Sequence, residues 1–216
     1  MSHVSVREYP VYATSEKVAD TLVHLAGIVA TLVAVFVFVS IHFAHLEGAL
    51  RASLWLYWSG LLIMLVASFC YHMTPWEGAR ATLRRLDYAA IYLKIAATYT
   101  PFVVMIGTTF SYIVLATVWL LAAYGAGRRL FAWRSPGRMA LYLYLGLGWI
   151  SVALIWAIFQ LSAAAGWCAI AGGALYTFGT VFFCWDSLKY ANAIWHGFVV
   201  IASGFFFASV WLCSLA

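Results

Sequence analysis

Ser68 and His72 stand four residues apart at the end of a long apolar stretch, which puts a hydroxyl and an imidazole on one helix face, one turn apart. Two other segments offer polar partners: Asp87 shortly afterwards, and Asn192 with His196, again four apart, near the far end of the chain. Glu16, Asp20 and His24 repeat the same step near the N-terminus. Hydroxyl, imidazole and carboxylate are the groups of proton transfer and of metal binding. At the centre of a spanning helix an ionised side chain costs roughly 2.5 to 3.5 kcal/mol on insertion scales, so polar groups kept inside a membrane point to function.

The elements that must position these residues follow from composition. Of 216 residues, 66% are apolar and only 9% charged, which excludes an ordinary soluble domain and marks an integral membrane protein. A span takes about 20 mostly apolar residues, so seven fit only if the loops are short. The fold class expected is all-α: a seven-transmembrane helix bundle over residues 20–216, preceded by a polar segment, 1–19. The spans read as Thr21–His42, Leu54–His72, Asp87–Ile106, Phe110–Gly125, Met139–Leu161, Trp167–Trp185 and Ala191–Leu215. Met73-Thr74-Pro75 and Ser135-Pro136-Gly137 are the clearest breaks, because proline disfavours helix in the residue before it. The first apolar run is too long for a signal-peptide core. The four cysteines sit in apolar runs without metal-like spacing and read as small packing residues.

Basic residues set the expected orientation. Arg7 and Lys17 precede span one, Arg80, Arg84 and Arg85 join spans two and three, Arg128, Arg129, Arg134 and Arg138 join four and five, and Lys189 precedes seven. The opposite loops hold only Arg51, which places the N-terminus in the cytoplasm and the C-terminus outside. The net charge of +5 then reflects topology and attraction to anionic lipid headgroups, not nucleic-acid binding. With this topology His72 ends an inward-running span, while Asp87, Asn192 and Glu16 open outward-running ones. All the polar suspects therefore come to the cytoplasmic third, around a pocket entered from that interface. His42 and His45 fall at the opposite end.

The same residues carry a resemblance. Ser68-xxx-His72, then Arg85-Leu86-Asp87-Tyr88-Ala89-Ala90-Ile91-Tyr92-Leu93 with Ala97-Thr98-Tyr99-Thr100-Pro101-Phe102, then Ala193-Ile194-Trp195-His196 resemble the hemolysin III family, and Glu16-xxx-Asp20-xxx-His24 is similar to its span-one motif. That family is the bacterial branch of the progestin and adipoQ receptors, related to alkaline ceramidases. The resemblance covers nearly the whole chain in order. It implies a seven-helix bundle in a bacterial inner membrane with a zinc site on the cytoplasmic side. His72 and His196 would be ligands, Asp87 the partner of a metal-bound water, and Ser68 a hydrogen-bonding member of the site.

The chain departs from the family pattern in ways that matter. Asn192, its only asparagine, stands where the family has a histidine, and an amide oxygen is a poorer zinc donor than imidazole. Tyr88 follows Asp87 where histidine is usual, Asp20 replaces asparagine, and Lys94 puts a cation about 10 Å into span three by helical rise. Long side chains on a helix lean toward its N-terminus, so Lys94 is expected to reach Asp87 or Asp20 and to stand in for part of a metal's charge. Blander readings stay open. Glu16 can be a solvated first-turn carboxylate, His24 a bundle histidine, Ser68 a packing residue, and Lys94 can snorkel to the headgroups. Gly172, Gly173 and Gly179 read as sites of close helix approach.

Two functions from different classes follow. One is a sensor, channel-like or cytolytic membrane protein whose polar cluster pins or switches the bundle. The other is a metal-dependent hydrolase of a lipid amide or ester, with Asp87 and Ser68 in the catalytic machinery. No GxSxG, HExxH or P-loop pattern offers a competing chemistry. The altered ligand position favours the first.

Overall fold

The structure is a computed structural model describing residues 12–131, 138–185 and 187–216. Arg7, Arg134 and the Ser135-Pro136-Gly137 break lie outside the described residues. Those described form eight α-helices and no strand: α1 (Thr14–Ile41), α2 (Gly48–Met73), α3 (Glu77–Ile106), α4 (Thr109–Phe131), α5 (Arg138–Trp149), α6 (Val152–Leu161), α7 (Ala163–Phe183) and α8 (Ala191–Ser214). Seven spans are long and apolar enough to cross a membrane, with α5 and α6 together making the fifth.

Several helices begin well before their apolar stretches. The second starts at Gly48 instead of Leu54, and the third at Glu77 instead of Asp87. Hydropathy marks the part of a helix that lies in hydrocarbon. Arginine is a good helix former, so the turn carrying Arg80, Arg84 and Arg85 stays helical beyond that limit. The first helix likewise opens at Thr14, with Glu16 in its first turn accepting the Ala13 N–H at 3.0 Å. Pro75 stops α2, and Gly107, at φ 66°, closes α3 in the left-handed conformation that glycine accepts.

The break between α5 and α6 has no proline behind it. Around Ile150 and Ser151 the ladder tightens, and the Tyr99 hydroxyl lies 2.8 Å from the carbonyls of both Leu147 and Gly148, to which it donates. A tyrosine from the third span thus supplies the donor that a regular helix would have supplied.

In the bundle α1 lies between α2 and α8, α2 packs on α3, α7 on α8, and α6 on α7, while α4 covers α3 and touches α5. Small residues set the closest approaches. A Cβ on Gly172 would meet the Phe206 ring at 2.8 Å, and one on Gly179 would meet Phe198 at 2.7 Å. Gly173 is different, since nothing lies within 4 Å of such a Cβ; it lines a cavity instead of a helix contact. At one end Phe38, Trp58 and Trp211 form an edge-on aromatic group that His42 joins. His24, His72 and His196 gather at the other.

Candidate functional site

Four helix ends converge on one buried cluster. Asp20 and His24 come from the start of α1, Ser68 and His72 from the end of α2, Asp87 from the third turn of α3, and His196 from the second turn of α8. Asp20, His24, Ser68, Asp87 and His196 are all buried. The imidazole rings of His24 and His196 are 4.2 Å apart between centroids, and those of His72 and His196 4.8 Å.

The hydrogen bonds assign the ring nitrogens. His24 Nδ1 faces the Asp20 backbone carbonyl at 2.8 Å, an acceptor only, so that nitrogen carries the proton. His196 Nδ1 faces the Asp20 carboxylate at 2.6 Å and donates to it. Both Nε2 atoms face the Ser68 hydroxyl, at 3.2 Å and 3.4 Å. A single hydroxyl thus stands between two imidazoles. Asp87 is buried as well and lines the same end of the cavity as Ser68, His72 and His196. The Asp20 carboxylate is the hub: its oxygens also lie 3.5 Å from His24 Nδ1 and 3.7 Å from His72 Nδ1.

Such a donor set suits a metal ion. Asp20, His24 and His196 each offer a ligand atom, all within 4.8 Å of one another. The Nδ1 atoms of His24, His72 and His196 all lie within 3.7 Å of an Asp20 carboxylate oxygen, so carboxylate and imidazole donors face one another around one point.

A sequence model described as haemolysin-III related matches residues 12–207. The chain belongs to that family. It is 28% identical to the "Hemolysin-3 homolog" of Bacillus subtilis (strain 168) over 206 residues, covering 94% of this chain and 96% of the relative. It is also similar to "Hemolysin-3" of Bacillus cereus, 27% identical over 197 residues and 90% of each chain.

Within this haemolysin-III-related bundle the expected site residues separate. Ser68, His72, Asp87, His196, Asp20 and His24 meet in one cluster, and the two from span one, expected only as a wall, are at its centre. Asn192 lies one turn before His196 and borders a small hollow shared with Glu16, Lys17, Asp20 and Met73. Glu16 stays outside the histidine cluster. Its second oxygen accepts the Tyr190 N–H at 2.9 Å, stapling the start of α1 to the start of α8 and holding Tyr190 at a left-handed φ of 63°.

Lys94 departs from expectation. It is buried, but its ammonium pairs with neither Asp87 nor Asp20, and no carboxylate of the described residues lies within 4.0 Å of it. It donates instead to the Tyr176 hydroxyl at 2.6 Å. The pull toward the helix N-terminus is overridden because the α3 face carrying Lys94 looks across at α7, where a phenol and its ring offer a nearer partner. Tyr176 and Ser203 escaped sequence reasoning, having no spacing motif. Asking which hydroxyls in spans six and seven could face a buried lysine was the signal available.

Proposed function

We propose that this haemolysin-III-related membrane protein is a metal-dependent sensor, in which zinc held by Asp20, His24, His72 and His196 pins the ends of spans one, two and seven. The observation that carries the reading is the convergence of ligand atoms from Asp20, His24 and His196 within 4.8 Å, with the His72 ring beside them. The Asp20 carboxylate supplies the donor that Asn192 does not. One oxygen and three imidazole nitrogens are a zinc-like set, and four protein donors match the closed tetrahedral sites that serve structure, not those that leave a position open for water. Bound there, zinc would contribute a divalent charge that fixes four side chains from three helices. The chain's own part is to bring the Asp20 carboxylate and the three rings to one point and to keep Ser68 and Asp87 at the rim.

The sensor reading draws on a second feature. A cavity of about 870 Å³, open and mostly apolar, is bordered at one end by His24, Ser68, His72, Asp87 and His196, so a ligand that reaches this end meets the same imidazoles. That volume suits small-molecule sites, which run from roughly 300 to 1,000 Å³. We place the protein in the bacterial plasma membrane with the site on the cytoplasmic side, on the strength of the basic residues gathered at that end. Reporter fusions after Lys17 and after Ala216 should read cytoplasm and exterior; an exterior N-terminal fusion would reverse the orientation. The metal is tested by elemental analysis of detergent-purified protein. One zinc per chain is expected in wild type without Asn192→His, and loss of it in Asp20→Ala and His196→Ala. Metal-free wild type after expression in zinc-replete medium would contradict the reading.

A further inference from the structure

Lys94 lies in the middle of α3, only 4% exposed, on the wall of the large cavity. Because an ammonium can only donate, the Tyr176 oxygen accepts from it at 2.6 Å, and the phenol proton passes on to Ser203 Oγ at 2.6 Å. The charge also sits 4.4 Å from the centroid of the Tyr176 ring and 5.5 Å from that of Phe206. These contacts steady a cation without neutralising it. An ammonium has three donors, of which Tyr176 uses one, and among the described residues no acid pairs with it. The fully buried Tyr57 hydroxyl has no hydrogen-bond partner among the described residues.

The other ionic groups on the cavity wall are Asp87 and Arg84, which interact with each other and, by helical rise, lie about 10 to 15 Å along α3 from Lys94. Between α3, the α5–α6 pair and α7 the wall is mostly apolar, with hydroxyls only at positions such as Thr98, Ser151 and Thr177 and with Phe102, Leu154, Ile155 and Ile158 among its apolar residues. Trp149, Val152 and Ile170, also on that wall, are about half exposed, so the cavity is open toward the face of the fifth and sixth spans. A buried charge lacking a counter-ion, on the wall of an open apolar cavity, is completed by what the cavity takes up.

We infer that Lys94, braced by Tyr176 and Ser203, is an anion subsite for a long-chain amphiphilic carboxylate whose tail lies along the α5–α6 and α7 wall. A single ammonium matches a monoanion, and the two-oxygen carboxylate meets the two remaining Nζ donors. The subsite stands apart from the histidine cluster and holds with or without a metal there.

The test uses the full chain in phosphatidylcholine nanodiscs with a metal chelator present, titrated with dodecanoate, dodecanol and dodecyl phosphate. Wild type should bind dodecanoate about tenfold or more tighter than dodecanol, the ratio that about 1.4 kcal/mol of charge pairing gives. Lys94→Met should bring dodecanoate to the level of dodecanol while leaving dodecanol unchanged, and Lys94→Arg should keep the preference. His196→Ala, which disrupts the metal site, should keep it too. Equal binding of dodecanoate and dodecanol by wild type, or an undiminished preference in Lys94→Met, overturns the subsite. Tighter binding of dodecyl phosphate than of dodecanoate overturns the carboxylate and assigns the site to a phosphate headgroup.

Discussion

The bundle holds two buried polar clusters that handle charge in opposite ways. Around Asp20, one carboxylate is surrounded by three imidazoles, and every polar group has another to answer it. Around Lys94, one ammonium is surrounded by hydroxyls and aromatic faces, and its countercharge is missing. Packing differs in step. The Asp20 cluster is shut in by its own side chains where α1, α2 and α8 meet, whereas Lys94 stands where α3 and α7 face each other across the cavity. A cluster closed by its own donors suits a fixed ion; a cluster left open suits an exchangeable ligand.

Removing the hub of the first cluster should have the largest effect. Asp20→Ala leaves three buried imidazoles without their carboxylate, and breaking such a pair costs about 3 to 5 kcal/mol. Thermal or denaturant unfolding in detergent should show that loss together with loss of metal, and an unchanged midpoint would mean that the cluster is not a unit. Next comes the close approach beneath Lys94. A Cβ on Gly60 would sit 2.9 Å from that of Ala97 and 3.7 Å from the Lys94 Cα, so Gly60→Val should cost about 1 to 3 kcal/mol by overpacking. Gly173→Ala, on the cavity wall with nothing nearby, is the contrasting case and should unfold with the wild type.

Tyr176→Phe sharpens the comparison, since it removes the hydroxyl to which the Lys94 ammonium donates. A cost of about 1 to 3 kcal/mol is expected in the absence of ligand, the penalty for an unsatisfied buried group. Added dodecanoate should recover part of it, whereas recovery by dodecanol to the same extent would break the link between the hydroxyl and the charge. Glu16→Gln should give a smaller drop than Tyr176→Phe, because its carboxylate is half-exposed and the amide keeps one acceptor, for the Tyr190 N–H or the Ala13 N–H.

The helices and the shared end of the polar residues were legible from the sequence because both are periodic. Apolar runs of membrane length announce spans, and Ser68 with His72, or Asp20 with His24, announce a common face through their four-residue step. Helix starts were less legible: the basic turn before Asp87 is helical for reasons of propensity that hydropathy does not record. The break between α5 and α6 depends on the Tyr99 hydroxyl from another span, and no local signal marks it. The same holds at the site. His72, Asp87 and His196 were found from depth alone, but the hub role of Asp20 needs its carboxylate to reach His196 across helices, 176 positions along the chain. Lys94 was misassigned because helix geometry gives the direction in which a side chain leans, not which neighbouring helix it faces.

The central claim is a closed metal site in which Asp20 takes the place that Asn192 leaves open. X-ray absorption at the zinc edge of the purified, zinc-loaded protein tests it most directly. The account predicts four-coordinate zinc with three imidazole nitrogens and one carboxylate oxygen at about 2.0 to 2.2 Å, and one imidazole fewer in His72→Ala. Zinc with only two imidazoles and bound water, or an imidazole count that His72→Ala and His24→Ala leave unchanged, would contradict it.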